Sequence, residues 1–285
     1  MDREKNQGTL RPEDYEEPQC LLNMDSPDER KIRMIPQQRV LQKLDDYMAR
    51  RDVPGAERHL KYWLQEAEME GDRRGELMIH NEMAGFYRKT GNREEALGHA
   101  EKALALLRPL GFEKSVSGGT TYVNAATACT AFGEYSRAME LFSRAKAVYE
   151  ADPKTRADLL GGLYNNMALA CTALKRYTEA MEYNRKALAV MEQEPGGSLE
   201  QAITYLNMAD TVAADSGMEK GEQQIYEFLD RAEALLNGTD APKDGYYAFV
   251  CEKCAPVFEY YGYFLTAQNL KETAEQIREG IVKES

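Results

Sequence analysis

Apolar residues recur at helical spacing along almost the whole chain from residue 37 onward. The helical segments are each about 15 residues long and are separated by short breaks rich in turn-forming residues. Examples of these breaks are Thr90-Gly91-Asn92, Phe132-Gly133-Glu134 and Pro195-Gly196-Gly197. The helical segments are not interrupted by any convincing alternation of apolar and polar residues, which would indicate a strand. The pattern predicts an all-α chain of consecutive helices, and such a succession calls for a test of internal periodicity.

A small residue near the start of every second helix recurs with a nearly constant period. The small residue is alanine in five units, at Ala56, Ala96, Ala138, Ala180 and Ala267, and Ile225 replaces it in the fifth unit; the spacings are 40, 42, 42, 45 and 42 residues. Nine residues upstream of five of them stands a large residue that ends the preceding helix: Tyr47, Tyr87, Cys129, Cys171 and Phe258. In the remaining unit the distance from Val212 to Ile225 is 13 residues, which indicates an insertion of four residues. The chain therefore repeats a unit of two helices with a period near 42 residues.

The unit resembles the tetratricopeptide pattern W-x2-L-G-x2-Y…A-x3-F…P. In that pattern small residues let two helices approach closely and large residues fill the remaining space. The clearest copy consists of Tyr164, Met167, Ala168, Cys171, Ala180, Ala187 and Pro195. Similar copies begin at Tyr122, His80 and Tyr205, and weaker ones begin at Val40 and Cys251. Weak copies at both ends are typical of a solenoid, because a terminal unit packs on only one neighbour.

The resemblance covers about residues 37–283 and implies a right-handed superhelical solenoid of about six helix-turn-helix repeats. We place the repeats at 37–71, 73–110, 115–152, 154–196, 198–238 and 244–283. The solenoid then spans residues 37–285 and follows a poorly structured tail or cap at residues 1–36. The usual unit has about 34 residues, so the longer period adds about one turn to each helix. Units of this length resemble those of kinesin light chains and related cargo adaptors, in which extended peptides lie along the concave face.

The resemblance implies that the first helix of each pair lines the concave groove. The residue two positions beyond the large opening residue is then expected to point into the groove; these residues are Gln42, Glu82, Asn124, Asn166, Asn207 and Lys253. Three asparagines in register are unexpected in helices, because the Asn side chain competes for backbone hydrogen bonds. An amide both donates and accepts, as an extended peptide backbone requires. We therefore predict that Asn124, Asn166 and Asn207 hold the main chain of a bound segment, the alternative being that they are simply exposed polar positions.

Four neighbouring side chains are further candidates for the peptide-binding groove. They are Asn81, Asn165, Thr127 and Asp210. All four fall on predicted first helices, as the three asparagines in register do.

Charge and composition narrow the range of partners. The chain has 36 Lys and Arg against 48 Asp and Glu, a net charge of −12, and so acidic a surface repels phosphate groups. We expect neither nucleic acid nor an anionic membrane as a partner. The sequence shows no secretory signal and no run approaching the roughly 20 apolar residues of a membrane span. Five scattered cysteines fit reduced thiols better than a disulfide framework, and we expect a cytoplasmic protein.

Motifs of catalysis and cofactor binding are missing from the sequence. There is no phosphate loop, no dinucleotide-binding turn and no His-Glu-x-x-His pair. The histidines His59, His80 and His99 have no evident metal or nucleophile partner, which favours a structural or surface role. Cys251 and Cys254 form a Cys-x-x-Cys pair, but no second pair of ligands stands at zinc-site spacing. We predict no catalytic residue, no metal site and no cofactor, and hence a protein that is not an enzyme.

Two regions extend beyond the repeat pattern. Eight aromatic residues fall within 246–264, where no further repeat follows, and both a homodimer contact and a partner surface remain open there. The charged and proline-containing segment 1–36 indicates a flexible tail. Its apolar pieces, Cys20-Leu21-Leu22 and Ile32 with Met34-Ile35, are candidates to cap the first helix pair or to lie in the groove.

The leading hypothesis is an adaptor or scaffold that binds an extended peptide or protein segment of unknown identity along the concave groove. Two alternatives remain open. One is a structural scaffold that self-associates through its aromatic carboxyl end. The other is a peptide-sensing regulator without a DNA-binding domain of its own, because no helix-turn-helix segment is visible before residue 37.

Overall fold

The computed structural model describes residues 33–238 and 241–284, with side chains through residue 280. Within these residues the chain forms twelve α-helices and no strand. They are α1 (Gln37–Ala49), α2 (Val53–Glu70), α3 (Arg73–Lys89), α4 (Arg93–Leu107), α5 (Val116–Ala131), α6 (Tyr135–Ala151), α7 (Ala157–Ala173), α8 (Tyr177–Met191), α9 (Ser198–Ser216), α10 (Met218–Asn237), α11 (Gly245–Tyr260) and α12 (Phe264–Glu284). The prediction of an all-α protein is confirmed. Most of the predicted tail, residues 1–32, lies outside the described residues.

The helices pack as consecutive pairs, from α1 with α2 to α11 with α12. The second helices α2, α4, α6 and α8 also pack against the first helix of the following pair. Successive first helices touch each other from α3 through α5, α7 and α9 to α11. This arrangement, in which each unit rests on the next along the chain, is an all-α repeat solenoid.

Helix starts are fixed by polar side chains that cap the backbone. Five capping residues accept hydrogen bonds from free N–H groups of the first turn: Asp52, Asp72, Asn92, Ser115 and Asp244. Such a cap is worth about 1 kcal/mol because it pairs a donor that has no partner within the helix. The caps define where five of the helices begin.

Ile35 links the segment before α1 to the start of the second helix pair. Its side chain is buried against α1, α2 and α3, whereas the neighbouring Met34 is exposed. The Ile35 backbone N–H donates to Oδ2 of Asp72 at 2.9 Å, and the other oxygen of the same carboxylate caps α3 through Gly75. Ile35 therefore packs against the first two helix pairs, whereas Cys20-Leu21-Leu22 and Ile32 lie outside the described residues.

The turn inside each helix pair requires one residue with a positive φ angle. The six residues, with φ between 57° and 86°, are Arg51, Gly91, Gly133, Lys175, Gly217 and Gly262. Four of the six are glycine, which adopts this conformation without the steric penalty that a Cβ atom brings. For other residues the left-handed conformation costs roughly 1–2 kcal/mol, so Arg51 and Lys175 are exceptions.

Replacement of Gly133 by alanine is expected to lower the free energy of unfolding by about 1–2 kcal/mol, because alanine at φ 79° carries that steric penalty. A Cβ atom at this position meets no neighbour, so the loss comes from the backbone alone. Urea denaturation measures it. Gly98→Ala is the matched control: Gly98 lies exposed inside α4 with nothing near its Cβ position, and alanine there is expected to raise stability by about 0.5–1 kcal/mol. If the free energy of unfolding changed in the same direction in both variants, the loss at Gly133 could not be assigned to its positive φ angle.

The small residues at the start of the second helices are fully buried, as the repeat pattern requires. Four positions further along, three of the second helices place a large, buried side chain between the helices: Leu60, Phe142 and Leu229, each at most 1% exposed. Asn184 occupies this position in the fourth pair and is also fully buried. Neither polar atom of its amide has a hydrogen-bond partner within the described residues. An unpaired buried amide costs free energy, so this pair carries a local defect.

Asn184→Leu is expected to raise the free energy of unfolding by about 1–3 kcal/mol, because leucine keeps the branched shape and removes the unpaired polar atoms. Phe142→Leu at the equivalent position removes only apolar atoms and is expected to destabilise. Both changes are measured by urea denaturation monitored at 222 nm. A loss of stability in Asn184→Leu would indicate that the amide binds a buried water molecule.

His80 and His99 form a buried pair between α3 and α4. Their Nδ1 atoms lie 2.8 Å apart, and the His99 ring stacks on Tyr87. Burial and the neighbouring His99 lower the pKa of His80 to about 4, and burial also lowers the pKa of His99. A hydrogen bond between two imidazoles needs one ring nitrogen as donor and the other as acceptor. The pair is therefore structural and neutral near pH 7.

The His pair is expected to make the protein less stable as the pH falls from about 6.5 to about 4. In this range the unfolded chain binds protons that folded His80 rejects, so protonation favours unfolding. Each such proton contributes up to about 1.4 kcal/mol per pH unit. His80→Tyr, which introduces the residue found at the equivalent positions Tyr122 and Tyr164, is expected to flatten this slope in urea denaturation at pH 4.5, 5.5 and 6.5. Parallel profiles would contradict the prediction.

Candidate peptide-binding groove

A cavity of about 970 Å³ lies inside the solenoid and is called here the groove cavity. Its wall is formed by residues of the first helices α1, α3, α5, α7 and α11, together with Arg51 and a residue of α12. Helices α1 and α12 are in contact, so both ends of the solenoid contribute to one cavity. The first helices thus provide most of the wall.

Four of the seven predicted site residues lie in the wall of the groove cavity. They are Asn81, Asn124, Thr127 and Asn166, and each is half-buried. Glu82, which shares the register position of the asparagines, lies in the wall as well. These residues come from three successive first helices, so the cavity presents a row of polar side chains.

The other three predicted site residues are not part of this wall. Asn207 and Asn165 are buried, with 7% and 4% of their surfaces exposed. Asp210 is half-buried and accepts a hydrogen bond from the Tyr261 hydroxyl at 2.8 Å. The reason is the position of α9, which packs against both α7 and α11 and so covers the side chains between them. Asn207 does not continue the row formed by Asn124 and Asn166.

Hydrogen bonds between side chains link neighbouring first helices, and we call this set of contacts the polar seam. Between α3 and α5, the Asn81 amide donates to Thr121 at 3.1 Å and accepts from Asn124 at 3.4 Å. Asn81 also donates to the backbone oxygen of Leu77. Its donors and its acceptor are therefore all engaged within the protein.

The polar seam continues between α7 and α9 and on to the end of α11. Thr204 donates to the Asn165 side-chain oxygen at 2.9 Å, and the hydroxyls of Thr172 and Thr211 lie 2.9 Å apart. The contact of Asp210 with Tyr261 extends the seam to the last pair. Asn165 and Asp210 are thus occupied in holding adjacent pairs together.

Two asparagines keep hydrogen-bonding capacity toward the cavity. Asn166 makes no side-chain hydrogen bond within the described residues, and Asn124 uses one N–H on Asn81 while its oxygen stays free. Thr127 donates to the Val123 backbone oxygen at 2.7 Å and can still accept. The free groups of these side chains include both donors and acceptors.

Seven charged residues also lie in the cavity wall, and the sequence analysis did not select most of them. The cations are Arg51, Arg88, Lys89 and Arg278, and the acids are Asp45, Glu82 and Glu252. Burial raises the pKa of Asp45 and of Glu82; each is also affected by Lys89, which lowers it. Arg51 could have been noticed from its place in the turns, where most pairs have glycine. The charges on the helices gave no comparable sign, because charged residues are common on every exposed helix face.

The described residues show no arrangement for metal or thiol chemistry. No group of three or more His, Cys, Asp or Glu side chains in this part of the chain is placed to hold a metal ion. The four cysteines that the structure describes are buried free thiols. Burial raises the pKa of Cys251 to about 11 and that of Cys254 to about 12, so neither is a ready nucleophile.

None of the described helices is both long and apolar enough to cross a membrane.

The fold is similar to several solved structures at low sequence identity. Aspartyl phosphate phosphatase F from Bacillus subtilis is 17% identical, with a TM-score of 0.55, over 85% of this chain and 59% of that chain. BtubC (BKLC) from P. vanneervenii is 18% identical, with a TM-score of 0.50, over 73% and 95%. The kinesin light chain TPR-like repeats of Podosopora anserina are 19% identical, with a TM-score of 0.49, over 73% and 97%. At these identities the likeness concerns the fold alone.

No curated protein matches the sequence. A family model does: the tetratricopeptide repeat model matches residues 75–151 and 159–237, which is more than half of the chain. The two matched ranges contain helices α4, α5, α6, α8, α9 and α10 in full and most of α3 and α7. The resemblance drawn from the spacing of small and large residues is thereby confirmed, and the chain belongs to the tetratricopeptide repeat family.

Proposed function

We propose that the protein is an adaptor or scaffold that binds an extended peptide or protein segment in the groove cavity. Tetratricopeptide repeats generally mediate protein–protein interactions, and proteins of the family are typically adaptors and not enzymes. The observation that carries the proposal is the row of wall residues Asn81, Asn124 and Asn166, two of which have hydrogen-bonding groups without a partner in the protein. Unpaired groups on a concave surface favour a polar ligand.

The spacing of this row suits an extended chain. Packed helices lie about 8–10 Å apart, and Asn81, Asn124 and Asn166 come from the neighbouring helices α3, α5 and α7. An extended segment advances about 3.3 Å per residue, so adjacent first helices would meet every third residue of it. The amides of Asn124 on α5 and Asn166 on α7 keep a free acceptor and a free donor, so each can accept from a backbone N–H and donate to a backbone C=O. Binding of this kind depends on the main chain of the partner and leaves sequence preference to the rest of the wall.

Loss of the free amides is expected to weaken peptide binding. The probe is a panel of fluorescein-labelled dodecapeptides of varied sequence with amidated carboxyl ends, and binding is measured by fluorescence polarisation. The double change Asn124→Ala with Asn166→Ala is expected to lower the affinity for the binding peptides about tenfold, since each hydrogen bond contributes about 0.5–1.5 kcal/mol. Helicity by circular dichroism is expected to stay the same, because both side chains face the cavity.

Asn269→Ala is the matched control, because Asn269 is an exposed asparagine of α12 outside the cavity wall. It is expected to leave binding unchanged. A panel without any binding peptide would overturn the proposal. Binding that survives the double change would place the peptide elsewhere on the protein.

Self-association is a second candidate function, favoured by apolar side chains exposed on the last helix pair. Tyr260, Phe264 and Leu265 are 73%, 68% and 72% exposed, and single apolar residues at a surface are common but adjacent ones often mark an interface. Sedimentation velocity of the full chain separates this function from the first. A monomer at all concentrations would remove it.

A further inference from the structure

Helix α10 is less completely covered by the following pair than the earlier second helices are. Helices α2, α4, α6 and α8 pack closely against the next first helix, whereas α10 does not pack closely against α11 in the described part of the chain. Helix α11 packs on α9 and α12 instead, and its Tyr247 hydroxyl reaches the backbone oxygen of Leu236 at the end of α10. The same unit has four extra residues between Val212 and Ile225. The last pair therefore packs on α9 without closing over all of α10.

The uncovered part of α10 includes a position that is used for packing in the earlier pairs. The residue directly after the small residue of the second helix is Leu97, Met139, Met181 and Tyr226 in the second to fifth pairs. The first three belong to or pack against the hydrophobic clusters, and Sδ of Met139 lies 3.9 Å from Sγ of Cys171 on the next first helix. Tyr226 is 39% exposed. The fifth pair thus leaves open a position that a following first helix covers elsewhere.

Acidic residues replace apolar ones on this side of α10. Glu233 is equivalent to Leu188, which is buried in the preceding pair. Glu222 and Asp230 stand four residues before and after Tyr226, so these side chains project from one side of the helix. We call Glu222, Tyr226, Asp230 and Glu233 the outer face. Carboxylates lose hydration against an apolar helix, which explains why α11 does not cover them.

Aromatic side chains from the start of the last helix border the outer face. The ring of Tyr263 lies 6.1 Å from that of Tyr226, measured between centroids, and its hydroxyl donates to Oδ1 of Asp230 at 2.6 Å. The next residue, Phe264, is 68% exposed. Carboxylates and exposed aromatic rings therefore lie side by side on the outside of the solenoid.

The three carboxylates of the outer face have no cation to balance them. They make no ion pair within the residues that the structure describes. Of the two cations of α10, Arg231 lies over the ring of Tyr205 at 5.6 Å, and Lys220 projects from another side of the helix. An unbalanced acidic surface attracts cationic groups, and neighbouring aromatic rings bind the same groups through their faces.

We propose that the outer face binds a helical segment of another protein that presents lysine or arginine together with apolar side chains. Such a helix takes the position that a following first helix has in the earlier pairs. Residues four apart on α10 lie about 6 Å apart along its axis, which matches cations one turn apart on the partner. The apolar side chains of the partner cover Tyr226 and Phe264, in the manner of a helix bound to a groove. The outer face is not part of the cavity wall, so the inference goes beyond the proposed function and does not rest on it.

A second copy of this chain is the competing occupant. A two-fold dimer through the outer face would place the same surface of each copy against the other, so that carboxylates would meet carboxylates. Like charges across an interface cost affinity, and each copy carries a net charge of −12. Charge therefore favours a basic partner over a second copy.

The experiment uses the full chain and three fluorescein-labelled peptides of 18 residues. The first is an amphipathic helix of leucine, alanine, lysine and arginine, the second is a scrambled copy of the same composition, and the third has glutamate in place of every cation. Fluorescence polarisation at 150 mM salt measures binding. We expect the amphipathic peptide to bind about tenfold more tightly than the scrambled copy, and the acidic copy not to bind.

Two variants test the residues of the outer face. Glu222→Gln combined with Asp230→Asn is expected to weaken binding of the amphipathic peptide about fivefold, because two charge contacts are lost. The asparagine still accepts the hydrogen bond of Tyr263. Tyr226→Ala is expected to weaken binding about tenfold, because large aromatic side chains contribute most at such contacts. Circular dichroism is expected to stay the same, since the altered side chains are exposed.

Glu68→Gln combined with Glu70→Gln is the matched control. Both residues are exposed at the end of the second helix α2 and make no ion pair within the described residues. The control removes the same charge from another part of the surface and is expected to leave the affinity unchanged.

Four outcomes would overturn the inference. Equal affinity for the amphipathic and scrambled peptides would show a general attraction of cations to an acidic protein, as would equal weakening by the control. Loss of binding in the double variant Asn124→Ala with Asn166→Ala would place the peptide in the groove cavity and leave the proposed function in place. A dimer in sedimentation velocity that Tyr226→Ala dissociates would assign the outer face to a second copy.

Discussion

Close contact between helices at small residues is the interaction on which the rest of the structure depends. Ala56, Ala96, Ala138 and Ala180 are completely buried, and a methyl group at the contact lets the helix axes approach to the lower part of the usual range of about 8–10 Å. A single helix pair cannot bury all of its apolar surface, so each pair needs its neighbours. The first helices consequently lie side by side. Both the polar seam and the groove cavity follow from that alignment.

The asparagines of the first helices illustrate how position changes the role of one residue type. A polar side chain between two packed helices is removed from water, and leaving it unpaired is costly. Asn81 and Asn165 are in this situation and bond to threonines of the next first helix. Asn166 faces the cavity, where its partners are water or a ligand. The repeat thus supplies the amides, and the packing around each one determines whether it joins neighbouring pairs or remains open.

Charge in the cavity wall differs from charge on the chain as a whole. Electrostatic interactions are screened over about 8 Å at physiological ionic strength, so distant surface carboxylates have little effect on a group inside the cavity. Contacts within a few ångströms dominate there, and the cavity wall contains four cations against three acids. An acidic protein can therefore contain a site that is locally positive. Its net charge of −12 still disfavours the approach of long polyanions such as nucleic acid.

The sequence by itself determined the helical class, the approximate place of each helix pair and the family. Helical periodicity, glycine in the turns and alanine at close contacts are local requirements that recur in every unit, so they are visible without coordinates. Sequence reasoning also selected Asn81, Asn124, Thr127 and Asn166, which lie in the cavity wall, because all four fall on first helices. The tertiary structure alone decided that Asn207 is buried, since its exposure depends on how α9 packs between α7 and α11.

Contacts between distant parts of the chain were likewise decided by the tertiary structure alone. The pairing of His80 with His99, the lone amide of Asn184 and the approach of Arg51 to the cavity depend on how one helix packs on another. Small rotations from one repeat to the next add up along a solenoid. No local pattern encodes their sum, and that sum brought α1 against α12, so that the first and last helix pairs both contribute to the wall of one cavity.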